Sequence, residues 1–106
     1  MRSSIYGTIY AQERNGEPFI IDVEIIEDNW DFRKSCYQQY ELNAWAKKIN
    51  GERRLLLSTK NDATLSYSLK EVKSFIKDIK DCCVKHHYKV LTEREYKLVY
   101  KAYYYD

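Results

Sequence analysis

Cys82-Cys-Val-Lys-His-His87 is the cluster in this chain whose residue types could do chemistry. On a helix, Cys82 with His86 and Cys83 with His87 are i,i+4 pairs, and either pair could supply two metal ligands. Zinc ordinarily takes four, and the usual finger spacings are absent, which leaves Cys36 as the only further thiol. Cys83 also continues an apolar stripe, where a free cysteine serves as a small hydrophobe. A Cys–His nucleophile would need an orienting third group and an oxyanion loop, and neither is recognisable. The expectation is a chain without a bound metal or other cofactor.

Other catalytic patterns are missing too. The glycines stand alone at 7, 16 and 51, so no glycine-rich loop can cradle a phosphate. Asp22, Glu24, Glu27, Asp28 and Asp31 could be imagined around Mg²⁺, but their spacing fits a solvated sheet face and its exit loop better. A nuclease would place a histidine or lysine in the same motif. Binding is therefore expected rather than catalysis.

Three basic features could do the binding. Lys47, Lys48, Arg53 and Arg54 flank Asn50-Gly51, giving a positive fingertip with Trp45 behind it and only Glu52 to dilute it. Lys73, Lys77 and Lys80, with Lys70, form a stripe along one flank of a long helix, tempered by Glu71, Asp78 and Asp81. Arg94, Lys97 and Lys101 line a last helix. Mixed-charge helix faces are also what ordinary solvated surfaces look like. The partner-contacting set is taken as Trp45, Lys47, Lys48, Arg53, Arg54, Lys73, Lys77 and Lys80.

The elements that must position these residues follow from periodicity. Residues 9–21 and 44–56 form a weak repeat: each reads aromatic, Ala, three mostly polar residues, Asn-Gly-Glu, then an aliphatic run. Asn-Gly between apolar runs signals a hairpin, because both residues tolerate the positive φ of a type I′ turn. In the first hairpin Ile5, Ile9 and Ala11 share a face, with Tyr6, Thr8 and Tyr10 on the other. Across the turn Phe19, Ile21, Val23 and Ile25 face the core, while Asp22 and Glu24 mark the wet side. Residues 30–49 are less clear. Phe32, Cys36, Leu42, Trp45 and Ile49 scatter at helical spacing, whereas Tyr40, Leu42, Ala44 and Ala46 alternate with polar neighbours. That predicts a strand, with a helix over part of the segment as the competing reading.

Beyond Ala63 the period changes. Ser68-Leu-Lys-Glu71 is a capping box, and Leu69, Val72, Phe75, Ile76, Ile79 and Cys83 recur at three and four, predicting an amphipathic helix to about His86. Thr92-Glu-Arg-Glu95 is a second box, opening a shorter helix whose Tyr96, Val99, Tyr100 and Tyr103 share a face. His87 to Leu91 is a connector or short edge strand. The predicted fold is α+β: two Asn-Gly hairpins in a four-stranded antiparallel sheet, then a long amphipathic helix over its apolar face and a short C-terminal helix. All 106 residues fit one domain.

Composition narrows the function further. Net charge is +2, with six acids against two bases in residues 1–28 and seven bases against three acids in 29–60. A general polyanion binder would carry a broader basic excess, so nucleic acid is permitted rather than announced. Three cysteines make a poor disulfide framework, and no apolar leader or membrane-length stretch is present, which predicts reduced thiols and a cytoplasmic protein. The eleven tyrosines suit half-buried positions and contact faces. In size, tyrosine content, Lys/Glu balance and lack of chemistry the chain resembles small anti-defence inhibitors of phages and mobile elements, anti-CRISPR proteins among them. That resemblance implies a protein that blocks or adapts a larger, nucleic-acid-handling protein; the alternative is a small nucleic-acid-binding module using the basic hairpin and lysine-lined helices.

Overall fold

A computed structural model describes residues 2–28, 39–49, 51–59 and 72–105. Strands β1 (Arg2–Gln12), β2 (Pro18–Asp28), β3 (Gln39–Lys47) and β4 (Arg53–Ser58) precede helix α1 (Val72–Lys85), and strand β5 (Lys89–Leu91) leads into helix α2 (Glu93–Tyr105). The strands make one antiparallel sheet in the order β4-β3-β2-β1-β5, so the class is α+β. The sheet has five strands rather than four. The connector after α1 pairs Tyr10 with Leu91 and thereby covers the edge that β1 would otherwise expose. Residues 39–47 are strand, as their alternation requires; Cys36, Asn50 and the box Ser68–Glu71 lie outside the described residues.

The core sits between one sheet face and α1. Ala11, Phe19, Ile21, Val23, Leu42 and Ala44 are buried from the sheet, and Val72, Phe75, Ile79 and Cys83 from the helix. These are the alternating and three-four sets that periodicity marks. Ile5 departs from its expected place. It pairs with Glu24 while Gly7 pairs with Val23, so Tyr6 is an extra residue opposite nothing in β2. A bulge of one residue flips the faces upstream of it, and Ile5 moves to the polar side, 55% exposed.

The first hairpin turn differs from the expected type I′. There the Gly16 amide donates to Glu13 O at 2.9 Å and the Glu13 amide to Glu17 O at 2.9 Å. Gly16 has a φ of 93° but Asn15 stays at negative φ, which is a type I turn closed by a left-handed glycine. Asn15 instead uses its side chain, accepting the Glu17 amide at 2.9 Å. The second turn repeats the closure: Gly51, at a φ of 88°, donates to Lys48 O at 3.0 Å. The glycines 35 residues apart therefore do the same job, as the sequence repeat suggests.

Helix α1 ends without a glycine. The Tyr88 amide donates to Cys83 O and the His87 amide to Val84 O, which is a Schellman stop with His87 in the left-handed position at a φ of 60°. A β-carbon there is strained by about 1 kcal/mol. His87→Gly is expected to raise stability by about that amount in thermal denaturation; an unchanged melting temperature would mean that the imidazole makes compensating contacts.

Helix α2 opens on the expected box. The Glu95 amide donates to Thr92 Oγ1 at 3.1 Å, and the Thr92 amide to Glu95 Oε1 at 3.0 Å. Hydrogen bonds from the Thr92 amide and hydroxyl hold the exposed Glu95 carboxyl below the ordinary glutamate range. Thr92→Ala should cost about 1 kcal/mol, read as a lowered denaturation midpoint with the slope unchanged. The helix packs on the opposite face from α1, with the Tyr96 ring 4.9 Å from that of Tyr10 and the Tyr104 hydroxyl donating to Glu17 Oε1 at 3.4 Å. Tyr100 and Tyr103 extend this run of tilted and edge-on rings. Tyr10, expected to be open on the wet face, is consequently half-buried.

Candidate functional site

Pairing of Ile20 with Lys47 brings the two hairpin turns to the same end of the sheet. Phe19 and Ala46 are buried beneath that end, and the turns supply its charged rim. Lys48 does not project freely. Its Nζ lies 3.1 Å from Glu13 Oε1 and 3.1 Å from Glu17 Oε2, both on the first turn. Hydrogen bonds to Glu13 and Glu17 raise the Lys48 pKa despite some burial. The expectation that only Glu52 dilutes the basic fingertip is therefore corrected: the neighbouring turn neutralises one of its lysines. The repeat held a clue, since Glu13 and Lys48 are equivalent positions in it.

Arg53 and Arg54 remain without an ion pair among the described residues. Strand alternation sends them to opposite faces. Arg54 lies opposite Ala46 and donates from Nη2 to the Tyr88 hydroxyl at 3.0 Å; Tyr88 in turn packs edge-on against Phe19 at 5.0 Å. Arg53 lies on the Trp45 side, its guanidinium carbon 3.8 Å from the indole centroid. Such stacking fixes the guanidinium plane while leaving its edge donors available. Lys47 is exposed beside it.

Trp45 is held from below. Its Nε1–H donates to Glu24 Oε1 at 3.0 Å, which also accepts from Asn43 Nδ2 at 3.2 Å, while Glu24 Oε2 accepts from Ser3 Oγ at 3.0 Å. Asn43 is buried; it also donates to Glu41 Oε2 at 2.8 Å and accepts from the Ser58 hydroxyl. Burial pushes the Glu24 carboxyl up, but the bonds from Trp45, Ser3 and Asn43, with the charge of Arg53, outweigh it and hold it below the ordinary glutamate range. Glu24 was expected on a solvated face. It is instead the hub of a polar network across β1, β2 and β3, and Asp22 accepts from Thr8 Oγ1 at 3.1 Å beside it. No protein-family model, curated protein or solved structure matches the chain. The site therefore has to be read from its own geometry.

The remaining predicted contacts lie elsewhere. Lys73, Lys77 and Lys80 are exposed on the flank of α1 away from its buried residues, with no ion pair among the described residues. One of the two Cys/His pairs is broken at the helix end, while Cys82 and His86 keep their i,i+4 relation, the His86 amide donating to Cys82 O at 3.0 Å. Cys83 is fully buried under the sheet, and burial, with Cys82 beside it, pushes its thiol up to about 11, away from the thiolate a nucleophile or ligand needs. His87 has left the helix, so its i,i+4 relation to Cys83 is lost, and His86 stacks on Tyr88 at 5.6 Å. Among the described residues no three His, Cys, Asp or Glu side chains gather as a metal-binding group. No described helix is long and apolar enough to cross a membrane.

Proposed function

We propose that this is a non-enzymatic, cytoplasmic binding protein that docks onto a larger protein through its second hairpin, blocking or adapting it in the manner of phage and mobile-element inhibitors. The observation that carries the reading is the Arg53 guanidinium stacked on a Trp45 that Glu24 holds in place. Tryptophan and arginine dominate protein–protein hot spots, and a pair ordered before binding loses little conformational freedom on docking. Protein is favoured over nucleic acid by the acids around it. Glu13, Glu17 and Glu52 sit at the hairpin tips, and Asp22 and Glu24 lie on the adjoining sheet face, where they repel phosphate. A nucleic-acid reading draws support from Lys73, Lys77 and Lys80, which are all exposed.

Immobilised protein should retain a host protein from nuclease-treated lysate, and the two purified components should then bind in a titration without nucleic acid. Retention that nuclease abolishes, with plain DNA or RNA bound at a steep salt dependence, would replace the proposal with the nucleic-acid reading.

A further inference from the structure

The hairpin tips enclose a cleft of about 220 Å³ between the two turns. Its apolar lining comes from Phe19 and Ala46, and its charged lining from Glu13, Lys48, Glu52, Arg53 and Arg54. A closed apolar cavity of about 150 Å³ is enough to hold benzene, so this volume suits one aromatic or branched side chain rather than a sugar–phosphate chain. The cations around it are not equivalent. Lys48 is committed to Glu13 and Glu17 and the charge of Arg53 already acts on Glu24, whereas Arg54 is in no ion pair among the described residues. Arg53 lies over Trp45 on the far face, while Arg54, on the Phe19 and Ala46 side, is steadied by Tyr88 before any ligand arrives.

We infer that this cleft is an anchor site for a protein partner, taking one large apolar side chain that is flanked in sequence by an aspartate or glutamate. The apolar group rests on Phe19 and Ala46, and the carboxylate is received by the guanidinium of Arg54, which lies opposite Ala46 on that same face. The site deepens the protein-docking reading and rests on it. Glu13 and Glu52 on the walls oppose a run of phosphates, but they leave room for a single carboxylate opposite Arg54.

The probes are two matched dipeptides, acetyl-Asp-Phe-amide and acetyl-Asn-Phe-amide, titrated into the whole protein labelled at the Ala methyls and Phe rings for NMR. The Ala46 and Phe19 signals should move with both, and the aspartyl probe should bind roughly threefold tighter, the scale of an exposed ion pair. That preference should vanish in Arg53→Ala/Arg54→Ala and at high salt. Ala46→Met, which fills the cleft, should weaken both probes; if that variant misfolds, the arginine variant and the wild-type shifts decide alone. Equal affinity for the two probes, or no movement of Phe19 and Ala46, would overturn the inference. So would displacement of the probes by oligothymidylate, which would make the cleft a nucleic-acid site. A cleft that fails while the two-component protein titration succeeds would remove the anchor site and leave the docking function standing.

Discussion

Glu24→Ala should destabilise the protein by about 2–3 kcal/mol and free the Trp45 side chain, because three donors lose one charged acceptor. Ser3 is exposed and can turn to water, so its loss is small. Asn43 is buried, keeps only Glu41 for its amide donor, and sits in the middle of the sheet, so the penalty concentrates there. The effect is also pH-dependent in a defined direction. The folded-state pKa of Glu24 lies below its unfolded value, so the network contributes its full stability at neutral pH. That contribution disappears as pH falls through the ordinary glutamate range and then through the lowered folded pKa. Glu24→Gln, which keeps shape but not charge, should therefore approach the wild type in stability under acid conditions and fall short of it at neutral pH. Urea denaturation at both pH values measures this, and the indole N–H resonance of Trp45 reports the release. An unchanged midpoint at neutral pH would show that water replaces the carboxylate at no cost.

What could be read from residue order alone divides along physical lines. Period-two and period-three-four patterns report burial directly, so the Phe19–Ile25 face, the Leu42–Ala46 face and the α1 stripe were all legible. So was the Thr92–Glu95 cap, whose partners are three residues apart. Features set by one residue's backbone were not. The Tyr6 bulge is marked only by Gly7 beside it, a lone strand glycine that the alternation pattern passes over, yet it moves Ile5 across the sheet. The end of α1 was placed nearly correctly, but the left-handed residue there is His87 rather than the glycine that such a stop favours, so the Cys/His cluster read as helical. At the hairpin tip the sequence names the charged residues but not what each of them pairs with. Lys48, Arg53 and Arg54 look alike as a basic run, and only tertiary pairing with the first turn separates the neutralised lysine from the two arginines, which form no ion pair among the described residues.

Reversing Arg53 and Arg54 to glutamate should leave the fold intact and lower affinity for the protein partner at least tenfold, or about 1.4 kcal/mol. Both side chains are exposed; Arg54 makes the Tyr88 hydrogen bond, and Arg53 makes the Trp45 contact and lends its charge to Glu24, so the reversal should cost about 1 kcal/mol of stability and leave the fold intact. Binding suffers more because each reversal both removes an attraction and brings a like charge against an acidic partner. The loss should be larger at low ionic strength, since exposed charges are screened beyond roughly 10 Å at 0.1 M salt. Lys73→Glu/Lys77→Glu/Lys80→Glu provides the contrast. Under protein docking through the hairpin this variant keeps partner affinity, whereas under nucleic-acid binding it is the more damaging of the two. A hairpin variant with full partner affinity would take the fingertip out of the interface. Attention would then pass to α2, where Tyr103 and Tyr105 are exposed at the end of the tyrosine run and Leu98 is 65% exposed beside Lys97 and Lys101. That surface is apolar at its centre and basic at its rim, so its partner would differ from the hairpin's in burying aliphatic area rather than presenting a carboxylate.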